Sequence, residues 1–327
     1  GLVGSEMCIR DRYRPFRKDF AQLSSFGIAN PYDVMFLHSG NLNVPENIRT
    51  IIDTLFVKNA KKSLDKLNLR HRHYIKSEKY KGEIHFSTGS NTARSSSNFY
   101  ALNNGIATLF EIRGVGIGKT SFKRRINSGL SVGFSFLKTA YENSIFIFDE
   151  IAKANTYSNV IVLEHQRSIY TDVIKAIDIG SNEMIDFETT MHSSKDSYAI
   201  SKRDRPLAYI IKQNNFGFIE KLKNVGIDYV ELQKDTVIYS GGYRVIEFND
   251  NFKVYEKMRM QKVVTSIEYN DNGFSKGDIL ISMNQKRSNL IAELLEPEAP
   301  NSYVSFGIIN TSLNSQLPIY RIKNLNN

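Results

Sequence analysis

The stretch from residue 107 to residue 143 constrains the fold more than any other part of the chain. ATLFEI (residues 107–112) is a short, mostly apolar run with the character of a buried strand. RGVGIGKT (residues 113–120) is a glycine-studded turn. Phe122, Ile126, Leu130 and Leu137 then recur at helical spacing as far as about Asn143. Strand, turn and helix in that order form the repeating unit of an α/β domain, so the expected class is α/β.

Other segments extend this reading. Residues 45–69 are helical in pattern: Pro45 suits a first helical position, and Ile48, Ile51, Ile52 and Leu55 share a face. Residues 74–86 read as extended, and a Ser, Thr, Asn and Gly-rich loop follows over residues 87–98. Past about Asn155 the texture changes to strands, at residues 160–163, 173–179 and 184–189. Pro206 opens a further passage, with LAYII a strand, residues 216–225 a helix and IDYVEL a second strand. Residues 290–295 form a short helix stopped by Pro297. A boundary is expected between Ala152 and Ser158.

Composition narrows the function classes. At 327 residues and 41% hydrophobic content the chain can bury a sizeable core, and no apolar run approaches the ~18 residues of a membrane span. The single cysteine, Cys8, excludes an intrachain disulfide. It lies in GLVGSEMCIRDR (residues 1–12), a string that resembles a translated sequencing-library adapter and is expected to be an artefact. The net charge of +9 is densest over residues 58–81, with Lys61, Lys62, Lys66, Arg70, Arg72 and Lys76. No nucleic-acid-binding module or aromatic stacking platform accompanies that charge, so a solvated helix face plus loop is expected, with no nucleic-acid partner.

Glu111 is the chemical anomaly, because it interrupts Ala107, Leu109, Phe110 and Ile112. Burying an unpaired carboxylate costs several kcal/mol, so such a residue needs a partner or a task. Arg113, two residues on and therefore on the same strand face, is a candidate partner. Pattern alone leaves the structural and functional readings open. A nucleotide-binding alternative rests on GVGIGKT as a phosphate loop and IFIFDE (residues 145–150) as a magnesium-holding acidic strand. Its spacing fails: Arg113 stands where the first glycine of that loop belongs, and Gly114 leaves only three residues before Gly118. A non-catalytic binding module from Pro206 onward is a third possibility, although it shows no aromatic platform.

The words YRPFRKDFAQLS, YDVMF with SGNLNVPEN, and above all LFEIRGVGIGKTSFKRR resemble the second half of the catalytic domain of zinc carboxypeptidase-like metallopeptidases, especially a bacterial branch. RPLAYII, IEKLKNVGI and AELLEPEAPNSYVSFG resemble the domain that follows it. The resemblance implies peptide hydrolysis at a zinc-bound water, a peptide or protein substrate, and Glu111 as general base and acid. It also implies an organisation of catalytic-domain remnant (13–152), β-rich connector (153–205) and α+β accessory domain (206–327). Arg94 and Tyr100, flanking the loop before the catalytic strand, are candidate substrate contacts, and Arg113 is the candidate orienting partner of Glu111.

The family's metal site departs from this sequence. It needs an early His-x-x-Glu and a later histidine in a His-Glu-Tyr string, and the positions before Tyr13 hold Asp11 and Arg12. None of His38, His71, His73, His85, His165 and His192 stands in a His-x-x-Glu or His-Glu-x-x-His spacing. His71 and His73 would share a strand face, but within the most basic stretch. No metal site is therefore expected in this chain, the zinc being assigned to a longer parent. The fragment itself is expected to be inactive and poorly stable, with an apolar edge and face left unpaired.

Overall fold

In the computed structural model, which describes residues 27–113, 122–154, 158–212, 216–255 and 257–323, the chain divides into two units. The first comprises Gly1–Ala154 and Gln166–Tyr198, the second Asn155–His165 and Ala199–Asn327. The segment YRPFRKDFAQLS and all of the turn after Arg113 up to Ser121 lie outside the described residues. The expected α/β class holds: helices pack with sheets of mixed and antiparallel strands.

The first unit is built on two sheets. Strands β1 (Ile28–Ala29), β2 (Val34–His38), β3 (His71–His73), β4 (Ile75–Tyr80), β5 (Glu83–Thr88) and β6 (Thr108–Ile112) are joined by parts of two long ribbons, β7 (Val160–Asp178) and β8 (Met184–Asp204), whose residues 160–165 and 199–204 belong to the second unit. One sheet has the order β3-β2-β6, with β2 parallel to β3 and antiparallel to β6. The other has the order β1-β7-β8-β5-β4. Met35, Tyr32, Ile75, Phe86, Ile174 and Met191 form a shared buried cluster. Expected strands at residues 160–163, 173–179 and 184–189 are thus pieces of two continuous ribbons.

The helical pattern of residues 45–69 resolves into α1 (Glu46–Ile51), a π-helical segment (Ile52–Val57) and α2 (Lys58–Asp65). Ile48, Ile51, Ile52, Phe56 and Val57 are buried, as their spacing demands. Helix α3 (Ser96–Leu102) is capped by Ser95, whose hydroxyl accepts from the Asn98 amide at 3.4 Å. The polar loop before it is held by its own asparagines: Asn98 Nδ2 donates to the carbonyls of Ser90 and Thr92, and Asn41 Nδ2 donates to that of Asn91.

Asp33 ties this unit together. Its carboxylate, 2% exposed, pairs with Arg124 at 2.7 Å and accepts from the Arg70 amide at 2.9 Å. Its carbonyl accepts from the Arg113 amide. One residue thereby connects the starts of β2 and β3, the end of β6 and the helix α4 (Phe122–Glu142). Helix α5 (Ser144–Ala154) contains residues 145–150, so IFIFDE is helical and supplies no acidic strand. That removes one of the two elements on which the nucleotide-binding alternative rested.

The second unit holds β9 (Ala208–Ile211), α6 (Phe216–Asn224), β10 (Val230–Glu231), β11 (Thr236–Tyr255), β12 (Met258–Phe274), β13 (Ile279–Ser282), α7 (Ser288–Leu295) and β14 (Gln316–Ile322). Six strands form one sheet in the order β10-β13-β9-β14-β11-β12. LAYII, the helix from Phe216 and the helix before Pro297 are found where expected. IDYVEL contributes only the two residues of β10. Tyr209, Ile211, Tyr243, Val245, Ile279, Ile281, Ile291 and Leu295 form the core.

Glu296, just past α7, lies fully buried within this core. It accepts from Tyr209 Oη at 2.5 Å, Tyr243 Oη at 2.9 Å and Arg203 Nη1 at 2.6 Å, and pairs with Arg321 Nε at 3.4 Å. Arg203 also grips Glu298, whose Oε1 accepts from the Thr265 amide and hydroxyl. Two carboxylates thus face two guanidinium groups. Burial, then the Glu296 charge, pushes both phenols far above their ordinary range.

Removing one member of such a buried set leaves an uncompensated charge. Glu296→Gln should destabilise the second unit by about 3 kcal/mol, the lower end for a broken buried pair. Urea unfolding would report this as a lower midpoint at unchanged slope. An unmoved midpoint would mean that the network carries no net stability.

Candidate functional site

Side chains alternate along a strand, so β2 and β6 divide their residues between two faces. Glu111 lies opposite Met35, and Leu109 lies opposite Leu37. Val34, Phe36 and His38 point the other way, opposite Ile112, Phe110 and Thr108. On β3, His71 and His73 share that second face through their pairing with Val34 and Phe36.

Glu111 is 3% exposed, on the side of the sheet where Met35 joins the cluster of Tyr32, Ile75 and Phe86. Arg113 follows at the strand end. Burial, with Arg124 and Arg70 nearby, lowers its pKa against the raising effect of Asp33, the acid whose charge acts on it. Arg94 is exposed in the asparagine-held loop. Tyr100 is 53% exposed on α3, which contacts both β2 and β6. The loop and helix bearing these two residues therefore adjoin the strand of Glu111, and Tyr100 is a surface residue.

On the opposite face a second constellation forms that sequence spacing does not reveal. His38, Asp53 and His73 bring one ligand-type atom each to within 4.8 Å of one another. His73 Nε2 lies 3.5 Å from Asp53 Oδ1, and the His38 and His73 rings meet edge-on at 5.3 Å between centroids. Lys61 Nζ stands 3.1 Å from His73 Nε2, and Lys195 Nζ stands 2.5 Å from Asp53 Oδ2.

Local structure explains each placement. The histidines end adjacent parallel strands, and Asp53 belongs to the π-helical turn. Lys195 arrives because the backbone at Gly40 passes close to β8: a Cβ on Gly40 would lie 2.5 Å from the Ser194 carbonyl oxygen. Asp53 had a legible signal. It interrupts IIDTLFV as Glu111 interrupts ATLFEI. Its partners, scattered over β2, β3, α2 and β8, had none.

The electrostatics follow from burial. Desolvation brings His38 down to about 4 and, with Lys61 and Lys195, His73 to about 3, so both imidazoles are neutral at pH 7. Burial likewise lowers Lys61. Asp53 ends below its ordinary value: burial would raise it, but the Lys195 hydrogen bond and the facing histidines and lysine outweigh that.

Two neutral imidazoles and a carboxylate are a donor set that suits zinc. The ammonium groups of Lys61 and Lys195 nevertheless stand against those donors, and the set lies across the sheet from Glu111. It does not fit as a metal centre serving that carboxylate. A further imidazole pair, His85 Nδ1 and His192 Nε2 at 2.8 Å, lies with both rings tilted against that of Tyr80.

Among curated proteins, the chain is similar to Carboxypeptidase 2 of Trichophyton equinum and of Trichophyton rubrum, each 27% identical over 296 residues. The match covers 89% of this chain and 55% of each relative. Probable carboxypeptidase 2 of Arthroderma benhamiae is 26% identical over 269 residues, covering 81% of this chain and 51% of that protein. The chain thus spans about half the length of the curated relatives it matches. No family model and no solved structure matches. Each of these relatives bears the name of a carboxypeptidase.

The lowered imidazole pKa values carry a pH dependence of known sign. An unfolded histidine takes up a proton near pH 6.5, whereas His38 in the fold resists until about pH 4, so the native state is penalised as pH falls through that window. About 3 kcal/mol of stability should be lost between pH 6.5 and 4 through His38 alone. His38→Gln should flatten the dependence in urea unfolding measured across this range. An unchanged slope in the variant would exclude His38 as the group responsible.

Proposed function

We propose that this chain is part of a metallocarboxypeptidase in which Glu111 is the general base and acid of peptide-bond hydrolysis. The observation that carries the reading is a carboxylate almost fully buried on an apolar strand, β6. Similarity to the fungal carboxypeptidases supports the same class. In this reading Glu111 takes a proton from water as the oxygen bonds to the scissile carbonyl carbon. It then delivers that proton to the departing amine as the carbon–nitrogen bond breaks.

Arg113 is the proposed orienting neighbour of Glu111. Arg94 and Tyr100, both exposed on the segment beside β6, are proposed substrate contacts. Zinc is proposed for a longer protein that contains this sequence. Among the described residues the one donor set, His38, Asp53 and His73, lies across the sheet from Glu111 with Lys61 and Lys195 against it, so this reading does not place the zinc that serves Glu111 there. The chain by itself is accordingly expected to be inactive.

The test is peptide hydrolysis by the longer protein with Glu111→Gln. Loss of the proton-transfer group should lower kcat by roughly 100-fold or more while metal content is retained. Near-normal turnover in that variant would remove Glu111 from the reaction. Hydrolysis by the present chain alone would contradict the assignment of zinc to residues outside it.

A further inference from the structure

The constellation of His38, Asp53 and His73 has the dimensions of a metal site as well as its donors. Donor atoms on a tetrahedral zinc ion stand about 3.4 Å apart, against about 3.0 Å for donors at right angles on an octahedral ion with bonds of the same length. His73 Nε2 and Asp53 Oδ1 are 3.5 Å apart, the tetrahedral spacing. One donor atom of His38 lies within 4.8 Å of both, so its ring has to close by no more than roughly 1.4 Å. His38 is 6% exposed, and its Nδ1 has no hydrogen-bond partner among the described residues. The fold therefore buries a nitrogen donor at a cost without giving it a partner.

Charge shows what the two lysines do there. The imidazoles are neutral at pH 7 and Asp53 carries one negative charge, so a single ammonium would balance the set. Two are present, and together they supply the charge of a divalent ion. They also sit against the atoms such an ion would take: Lys61 Nζ against His73 Nε2 and Lys195 Nζ against Asp53 Oδ2, with Oδ1 turned toward His73. Neither is locked in place. The Lys195 side chain is 39% exposed and Lys61 is half-buried, each on a flexible four-carbon stem that can turn its ammonium into water. Burial, helped by Lys195 and Arg72 against Asp53 and Asp65, lowers the pKa of Lys61, so its proton is the easier one to release.

We propose that His38, Asp53 and His73 bind a divalent transition metal ion of the zinc class, and that Lys61 and Lys195 are stand-in cations that the ion displaces. Three protein donors leave a fourth position for water. The ion clasps the ends of β2 and β3 to the π-helical turn, and by binding the folded chain alone it stabilises the first unit. It needs nothing from Glu111, which lies across the sheet, and it stands or falls separately from the proposed hydrolysis.

The test is isothermal titration calorimetry of the full, chelator-treated chain with zinc chloride. The expected result is one equivalent bound per chain, with an unfolding midpoint in urea that rises as zinc is added. Asp53→Asn and His73→Gln should each weaken binding by roughly 100-fold or more, since losing a ligand costs at least as much as losing the partner that orients one. Lys61→Met and Lys195→Met should instead each tighten it about tenfold, because a competing positive charge is gone. These two side chains are partly exposed, so their variants decide the matter even where a ligand variant fails to fold. Glu111→Gln and His192→Gln should bind as the original chain does. No uptake, uptake indifferent to Asp53→Asn, or uptake weakened by removing either lysine would overturn the proposal. So would loss of binding in Glu111→Gln or His192→Gln, which would place the ion on the other face of the sheet or on the His85–His192 pair.

Discussion

A single carboxylate at the entrance of β2 holds the first unit in register. Asp33 is nearly inaccessible to solvent, so its charge must be answered within the protein. The answers come from three elements: the Arg70 amide before β3, the Arg124 guanidinium of α4 and the Arg113 charge at the end of β6. With those ends fixed, the pairings of β2 with β3 and β6 follow, and strand alternation then assigns every side chain to a face. The separation of Glu111 from His38 and His73 across one thin sheet is a consequence of that register.

The two faces have different chemistry because their coverings differ. Glu111 looks toward the side on which Met35 contributes to an apolar cluster, whereas His38 and His73 look toward the helical layer with Asp53 and two lysines. An ammonium–imidazole–carboxylate arrangement satisfies its own charges, which separates it physically from a vacant metal pocket. In the second unit the solution is similar in kind but deeper: Glu296 and Glu298 are matched by Arg203 and Arg321 with two tyrosine hydroxyls completing the shell.

Sequence reasoning reached the parts whose signal is local. ATLFEI as a strand, the helix from Phe122, and the helix running from Glu46 through Asp65 could all be read from periodicity. The 19-residue β7 and 21-residue β8 could not, because charged residues interleave along them and cut the apolar signal into short pieces. IDYVEL failed for a related reason: only Val230 and Glu231 find partners on β13. In α4 the period was legible but the buried face was not, since small polar residues take the inward positions. Tyr100, named as a candidate substrate contact, is exposed on α3. Arg94, Arg113 and Glu111 could be proposed from a motif, but His38, Asp53, His73 and Lys195 come together only through tertiary structure.

The π-helical turn at Ile52–Val57 has a geometric effect beyond hosting Asp53. A π turn holds more residues than an α turn, so it advances the angular phase of whatever follows it. Each residue of offset rotates the next helix by roughly 100°. Helix α2 thereby presents Lys61 to the histidines while Ala60 and Leu64 stay inside. Deleting one residue within this turn would leave composition and helicity almost intact. It would nevertheless swing Lys61 off the imidazole and turn Ala60 and Leu64 from their buried positions, so the wide turn acts as the gear that sets which side of α2 meets the sheet.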